Sequence, residues 1–203
     1  MPFSDPLERL YAGALDGSVP VISRDVAELI ATLISIKRPL NILEIGSAVA
    51  FSASLMATHM PDNGKVVTIE RNPDMVSLAR QNISTLGLTD KIQLLEGDAS
   101  HILPSLNSSF DLIFMDAAKG QYINFLPDCI RLLNSDGLII ADNVLQHGAI
   151  AMDISQIPRR NRTIHKRLRQ FLHDMYLLPD FNTTILQIGD GVLISSHSSK
   201  GGV

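Results

Sequence analysis

The sequence predicts an α/β fold in which helices cover both faces of a mostly parallel sheet. Five short apolar runs recur at regular spacing between residues 41 and 142, and stretches that suit helices separate them. Apolar strands that alternate with helices build parallel sheets through right-handed crossovers. The chain has 203 residues, 45% of them hydrophobic and 19% charged, so one domain can bury a core without disulfides. We therefore expect residues 1–203 to form a single domain.

An N-terminal helical segment, residues 1–37, precedes the first strand. Within it, apolar side chains recur at helical spacing, which predicts helices over roughly residues 5–15 and 24–36. Ser23 is a suitable N-cap for the second of them, because its hydroxyl can accept a backbone N–H from the first turn.

The central strands are the apolar runs themselves. They are NILEI (41–45), KVVTIE (65–70), KIQLLEG (91–97), FDLIFMD (110–116) and GLIIAD (137–142). The clearest helix between them covers residues 73–86, where Asn72 can cap the helix, Pro73 suits its first turn and Gly87 ends it.

The last part of the chain predicts an antiparallel addition to the sheet. A helix over about residues 155–177 precedes FNTTILQIGDGVLISSHS, which contains two strand-like runs joined by Gly189-Asp190-Gly191. So short a connection makes an antiparallel hairpin, and we expect a seventh strand inserted antiparallel at one edge of the sheet. Residues 198–203 are expected to form a loose tail.

Composition argues against several classes of protein. The sequence has no apolar run of the roughly 18 residues that a membrane span needs, and no signal-peptide pattern, so we expect a cytoplasmic protein that does not cross a membrane. Cys129 is the only cysteine, which rules out an intramolecular disulfide and a thiolate metal cluster. The net charge of −4 conceals a basic segment, residues 159–169, that holds six lysine and arginine residues.

The ends of the first three strands predict an adenosine-binding site. Gly46 follows the first strand and precedes a helix, whose N-terminal amides favour an anionic group. Glu70 ends the second strand, about 20 residues further on, where a carboxylate can accept both ribose hydroxyls. The carboxylate of Gly97-Asp98-Ala99 can meet an adenine amino group. A nicotinamide dinucleotide fingerprint would need glycines where the chain has Ala48 and Phe51, so a dehydrogenase is disfavoured.

Polar side chains follow the fourth and fifth strands. Asp116 and Lys119 follow the fourth strand, and Asp142 and Asn143 follow the fifth. Neighbouring strands lie about 4.8 Å apart, so two carboxylates and an amide can converge there, and such hard oxygen ligands suit Mg²⁺. Lys119, beside the metal, could accept a proton from a metal-bound hydroxyl. The alternative is that both aspartates only cap helices, and His147, just past this loop, is interpreted as a loop residue.

From about residue 19 to residue 196 the chain resembles the Mg²⁺-dependent O-methyltransferases that use S-adenosylmethionine, the family of catechol and caffeoyl-CoA O-methyltransferases. The motifs that carry the resemblance are LEIGSAVAFS, VVTIE, EGDAS, MDAAK and ADN. It implies a Rossmann-like, seven-stranded methyltransferase sheet with an antiparallel last strand, and a homodimer. In that family a second glycine usually stands in the first loop, where this chain has Ala50, whose methyl group is expected to weaken cofactor binding.

The resemblance also implies roles for individual residues. Asp116, Asp142 and Asn143 would hold Mg²⁺, Mn²⁺ or Ca²⁺. Lys119 would be the general base, with Asp116 as the second catalytic residue. The residues expected to bind the cofactor are Ile22, Glu44, Gly46, Ser47, Ser52, Glu70, Arg71, Gly97, Asp98, Ala99 and Asp116.

The acceptor is expected to carry two adjacent oxygens, as catechols and 5-hydroxyuridine do. Within the family the chain resembles most the bacterial tRNA 5-hydroxyuridine methyltransferases, with which it shares DAAKGQY and the terminal GDG. These enzymes form 5-methoxyuridine at the wobble position. In the basic segment Arg159, Arg160, Arg162 and Lys166 could bind phosphates of the tRNA anticodon loop. The alternatives are an O-methyltransferase of small catechol-like molecules and a non-catalytic protein that binds S-adenosylmethionine or RNA.

Overall fold

A computed structural model of the chain describes residues 3–198. Its strands form a seven-stranded mixed sheet with helices around it, which confirms the predicted fold class. The residues group into two compact units that meet in sequence between Ile102 and Leu103, and the single domain stays a prediction. Of the predicted tail, residues 199–203 lie outside the described residues, whereas the Ser198 N–H donates to the Asp180 carbonyl at 2.8 Å.

The first unit contains five helices and three parallel strands. They are α1 (Asp5–Asp16), α2 (Arg24–Lys37), β1 (Asn41–Ile45), α3 (Phe51–His59), β2 (Lys65–Glu70), α4 (Pro73–Thr85), β3 (Ile92–Glu96) and α5 (Ala99–Ile102). The strand order within this unit is β3-β2-β1. In register, Ile45 pairs with Ile69, and Glu70 pairs with Glu96, so the carboxyl ends of all three strands lie along the same edge.

The helix boundaries in this unit follow local capping signals. The Ser23 side chain accepts the N–H of Val26, and the Asn72 side chain accepts the N–H of Asp74. Both predicted N-caps are therefore confirmed. These caps satisfy backbone donors that the first turn of a helix leaves without intrahelical partners.

The second unit contains four strands and two longer helices. They are β4 (Phe110–Met115), α6 (Tyr122–Leu132), β5 (Leu133–Ala141), α7 (Arg162–Leu177), β6 (Phe181–Leu186) and β7 (Val192–His197). The order within this unit is β4-β5-β7-β6, with β4 and β5 parallel. β7 is antiparallel to both β5 and β6. The predicted antiparallel last strand is confirmed, but β7 lies between two strands, and β6 is the strand that ends the order.

The helix predicted from about residue 155 begins later, at Arg162. The preceding residues form two short 3-10 turns, Ile154–Gln156 and Arg159–Asn161. Pro158 lies between them, and a proline disfavours helical backbone at the residue before it, here Ile157. Among residues 3–198, no helix combines the length and the apolar character that crossing a membrane would require.

Candidate active site

The loop between β1 and α3 has backbone angles that favour glycine at three positions. The φ angles are 101° at Gly46, 44° at Ala48 and 64° at Ala50. A residue with a Cβ atom in this left-handed region costs about 1 to 3 kcal/mol. Ala50 is fully buried and is the N-cap of α3, so a glycine at this position would relieve backbone strain. The effect of Ala50 on cofactor affinity stays a prediction.

The Glu70 carboxylate connects this loop to the end of β2. Its Oε2 accepts the N–H of Ala48 at 2.9 Å. Its Oε1 accepts the N–H groups of Arg71 at 2.9 Å and Asn72 at 2.8 Å. Hydrogen bonds to a charged acceptor are stronger than neutral ones. Glu70 is therefore held by three backbone amides at the strand end where the sequence predicts a ribose.

The turn after β3 holds its carboxylate in the ionised form. Asp98 Oδ1 accepts both the hydroxyl and the N–H of Ser100, at 2.7 and 2.9 Å, and the hydroxyl contributes most to lowering the pKa of Asp98. Gly97 has a φ of 145°, and its N–H donates to the Glu70 carbonyl at 2.8 Å. The Arg71 guanidinium lies 3.6 Å from Asp98 Oδ2. Glu70, Arg71 and Asp98 thus form one cluster at neighbouring strand ends.

The other predicted cofactor residues of the first unit are largely buried. They are Ile22, Glu44, Ser47, Ser52 and Ala99, each at most 8% exposed. The Glu44 carboxylate accepts the hydroxyl of Thr68 at 2.5 Å, whereas the buried Ser47 hydroxyl has no hydrogen-bond partner within residues 3–198. Their contact with a cofactor stays a prediction.

Two aspartates follow neighbouring parallel strands of the second unit. Met115 pairs with Ala141 at the ends of β4 and β5, so Asp116 and Asp142 come directly after paired residues. The pKa of Asp116 is raised to about 7, mainly by burial and to a smaller extent by the negative charge of Asp142. Burial raises the pKa of Asp142 to about 6, although the hydrogen bond from the Asn143 N–H and the positive charge of Lys119 oppose the shift. Asp142 is therefore close enough to Asp116 for its charge to disfavour the ionisation of Asp116.

Hydrogen bonds hold the two strand ends together. The Asp142 N–H donates to the Met115 carbonyl at 3.0 Å. The buried Tyr122 hydroxyl lies 3.1 Å from the carbonyl oxygens of both Met115 and Asp142. Asn143 has a φ of 57° and donates its N–H to Asp142 Oδ1 at 2.7 Å. Tyr122 is a supporting residue that sequence reasoning missed, although it stands in the same run as Asp116.

This donor set fits a divalent cation. A cation bound there would offset the cost of ionising the half-buried Asp116 and the buried Asp142. Within the part of the chain described, no group of three or more histidine, cysteine, aspartate and glutamate side chains is arranged to hold a metal. The residues that would hold an ion are Asp116, Asp142 and Asn143, a small set of oxygen donors of the kind that Mg²⁺ accepts. The metal requirement stays a prediction.

Lys119 forms an ion pair with Asp190, in the turn between β6 and β7. Its Nζ lies 3.2 Å from Asp190 Oδ2, and the two side chains are 29% and 9% exposed. Asp190 Oδ1 accepts the N–H of His147, whose own side chain is exposed. Gly191 has a φ of 84°, and a Cβ there would overlap Leu145. Sequence reasoning missed Asp190, although a carboxylate between two glycines was a usable signal.

A cavity of about 520 Å³ opens beside Lys119. Segments after β4, after β5 and at the start of α7 line it, and its polar lining includes Gln121, Gln146, Asn161 and Arg167. No phenylalanine, tyrosine or tryptophan contributes to these walls among the described residues. Apolar residues, among them Ile157, Pro158 and Ile164, supply much of the remaining wall, so the cavity can bury part of a ligand while its polar side chains orient it.

The four basic residues predicted to bind RNA differ in their surroundings. Arg159, Arg160 and Lys166 are exposed. The Arg162 guanidinium instead donates to the carbonyls of Ile157 at 2.9 Å and Ser155 at 3.2 Å. Arg162 thus stabilises the turns before α7, whereas the other three side chains are available to a partner.

Comparison with known proteins identifies the family. The O-methyltransferase family model matches residues 9–198. A catechol O-methyltransferase from Niastella koreensis is 37% identical over 135 residues, which cover 64% of this chain and 60% of that protein. A Staphylococcus aureus crystal structure, provisionally assigned as a caffeoyl-CoA O-methyltransferase, has 34% identity and a TM-score of 0.89, covering 97% of this chain and 93% of that one.

A further solved structure is that of the S-adenosylhomocysteine-bound methyltransferase of Podospora anserina. It is 25% identical to this chain with a TM-score of 0.86, and the match covers 97% of this chain and 89% of that one. The chain therefore belongs to the O-methyltransferase family, which confirms both the family and the enzyme class that the sequence predicts.

Proposed function

We propose that this protein transfers the methyl group of S-adenosylmethionine to the 5-hydroxyl of 5-hydroxyuridine at the tRNA wobble position, with the help of a divalent metal. The observation that carries the chemistry is the pair of the half-buried Asp116 and the buried Asp142, with Asn143 next in the chain and Lys119 close enough to influence both pKa values. Such a donor set suits an acceptor with two adjacent oxygens, because both can bind one metal ion.

The reaction is a direct displacement. The bond between the methyl carbon and the sulfonium sulfur breaks as the acceptor oxygen forms its bond to that carbon, and S-adenosylhomocysteine leaves. When bound, the metal supplies Lewis acidity that makes the acceptor hydroxyl easier to deprotonate. Lys119, when neutral, accepts the hydroxyl proton at Nζ. Asp190, 3.2 Å away, then stabilises the ammonium that forms.

The tRNA acceptor is supported by the exposed basic side chains Arg159, Arg160 and Lys166, in a chain whose net charge is −4. A small catechol-like acceptor is the second candidate, because catechol O-methyltransferases are among the relatives. Both acceptors present two neighbouring oxygens, so the choice between them depends on the basic residues and the cavity rather than on the metal ligands. A homodimer stays a prediction.

The double variant Arg159→Gln and Arg160→Gln tests the RNA acceptor. We expect tRNA binding to weaken roughly tenfold, and the salt dependence of binding to become shallower by about 1 to 2 in logarithmic slope, because each lost phosphate contact removes counterion release. Methylation of hypomodified tRNA, followed with binding at several salt concentrations, measures both. Arg9→Gln with Arg38→Gln removes the same charge from exposed positions in the first unit and is the matched control.

Two outcomes would contradict the tRNA proposal. Turnover of catechols with no product on hypomodified tRNA would favour the small-molecule acceptor. Tight binding of S-adenosylmethionine without turnover of either acceptor, at any metal concentration, would favour a non-catalytic protein.

Glu70→Gln tests the proposed cofactor role of the first unit. The loss of a charged acceptor for backbone and ribose groups is expected to weaken S-adenosylhomocysteine binding about 10- to 100-fold, since such hydrogen bonds contribute about 1.5 to 3 kcal/mol each. Isothermal titration calorimetry measures the affinity. Glu96→Gln is the matched control, because Glu96 pairs in register with Glu70 but makes an exposed ion pair with Arg80. Equal affinities of the two variants would refute the assignment.

A further inference from the structure

The cavity beside Lys119 has room for more than the methylated ring. Its volume of about 520 Å³ lies within the range of roughly 300 to 1,000 Å³ that small-molecule sites occupy. Lys119 and its neighbours form one wall, and the segment from Ile157 to Arg167 contributes the facing residues. An acceptor whose hydroxyl reaches Lys119 would therefore place its remaining groups against the start of α7.

The charge on these walls is of one sign. Lys119 and Arg167 are the lysine and arginine residues that line the cavity, and no aspartate or glutamate of the described chain joins them there. Lys119 is already paired with Asp190. Arg167 has no carboxylate partner among residues 3–198, and its hydrogen bond is a long one, from Nη1 to the Gly120 carbonyl at 3.4 Å.

That contact places the exposed Arg167 guanidinium beside the backbone of Gly120, the residue that follows Lys119 in the chain. Arginine presents several N–H donors in a planar fork that matches phosphate and carboxylate oxygens. The amide of Asn161 and the hydroxyl of Thr163, on the same walls, can add hydrogen bonds to the same anion.

Resting on the proposed function, we infer that Arg167 forms a phosphate-binding subsite of the acceptor cavity, so that the preferred acceptor is a nucleotide rather than an uncharged nucleoside or catechol. The subsite selects the acceptor and takes no part in the proton transfer at Lys119. It is separate from the exposed Arg159 and Arg160, which would contact phosphates further along an RNA chain. A carboxylate could use the same donors, so an acidic catechol is a necessary comparison.

The test separates the acceptors by charge. For the parent protein we expect kcat/KM to be at least tenfold higher for 5-hydroxyuridine 5′-monophosphate than for 5-hydroxyuridine. Arg167→Gln should raise KM for the monophosphate about 10- to 100-fold, the loss expected for a charge-assisted contact, while kcat and the values for the nucleoside and catechol stay within about twofold. Arg167→Lys should recover part of the loss. Arg169→Gln is the matched control on the same helix, because Arg169 makes a similarly long hydrogen bond, to the Met152 carbonyl at 3.5 Å, and does not line the cavity; it should change none of these values.

Binding without turnover separates this inference from the proposed function. Calorimetry with uridine 5′-monophosphate and uridine should show tighter binding of the monophosphate, which Arg167→Gln removes and Arg169→Gln keeps. This result supports the subsite even if no acceptor is methylated, in which case the proposed function fails alone. Equal binding of uridine and its monophosphate, or an equal loss for both in Arg167→Gln, overturns the subsite whatever the activity. Tighter binding of 3,4-dihydroxybenzoate than of both catechol and the monophosphate would also overturn the phosphate subsite, because it would show that Arg167 recognises a carboxylate instead.

Discussion

Asp116→Asn is expected to abolish metal-dependent methyl transfer and, at pH 8, to stabilise the metal-free protein. The pKa of Asp116 is raised from 3.8 to about 7 in the folded state. Between about pH 4 and pH 7 the folded protein therefore binds a proton that the unfolded chain releases, so its stability falls as the pH rises through this window. Asparagine cannot ionise, and the variant escapes this loss.

The size of the stability effect follows from the shift. One pKa unit corresponds to about 1.4 kcal/mol. Asp116 is half-buried, so solvent screens part of the effect, and we expect the free energy of unfolding at pH 8 to rise by an amount on the order of 1 to 3 kcal/mol. In a chain of this size each kcal/mol raises Tm by roughly 2 to 4 °C. At pH 5 only about one pH unit of this window has been crossed, so the gain should be roughly a third of its value at pH 8, and it should disappear near pH 4.

Calorimetry in chelator at pH 5 and pH 8, followed by titration with Mg²⁺, measures both halves of this prediction. In the parent protein Mg²⁺ should raise Tm more at pH 8 than at pH 5, because both carboxylates must be ionised to bind it. In Asp116→Asn the metal should have little effect, and methyl transfer should fall by about 10²- to 10³-fold or more.

The control for this variant is Asp90→Asn, which makes the same chemical change at an exposed position and should behave as the parent. A variant that is less stable than the parent in chelator at pH 8, or that still responds to Mg²⁺, would show that the two aspartates do not form a metal site.

Lys119→Gln is expected to lower kcat by roughly 10²- to 10⁴-fold, the usual contribution of a general base, with little change in S-adenosylhomocysteine affinity. The loss should shrink for acceptors with more acidic hydroxyls, because these need less help to release the proton. Rates on a series of substituted catechols, at saturating metal, measure this dependence. A loss that is the same for all acceptors would mean that Lys119 does not accept the proton.

Asp190→Asn distinguishes the base from its partner. Asp190 does not exchange the proton in the proposed reaction, so its variant should lose only about tenfold in kcat, the cost of an ion pair that no longer positions Lys119. The double variant should be no slower than Lys119→Gln alone, because the two side chains act through one amine. Lys37→Gln, which removes a lysine from the end of α2, is the control for charge. Additive losses in the double variant would contradict the pairing.

Local chemistry determined much of what the sequence could predict. Ser23 and Asn72 cap helices because their side chains satisfy nearby backbone donors, and apolar runs form central strands wherever both faces of a sheet are covered. The convergence of Asp116 and Asp142 was also predictable, since parallel neighbours bring their carboxyl ends to one edge. These conclusions depend on short sequence distances or on a general rule of sheet geometry.

Only the tertiary structure decided which distant groups meet. β7 lies between β5 and β6 because strand pairing depends on long-range packing, which a hairpin signal does not specify. Asp190 reaches Lys119 across 71 residues of sequence. Arg162 donates to backbone carbonyls of the preceding turns, whereas Arg159, three residues earlier, is exposed. Residue type alone does not distinguish such positions, since their roles depend on contacts that form only when the chain has folded.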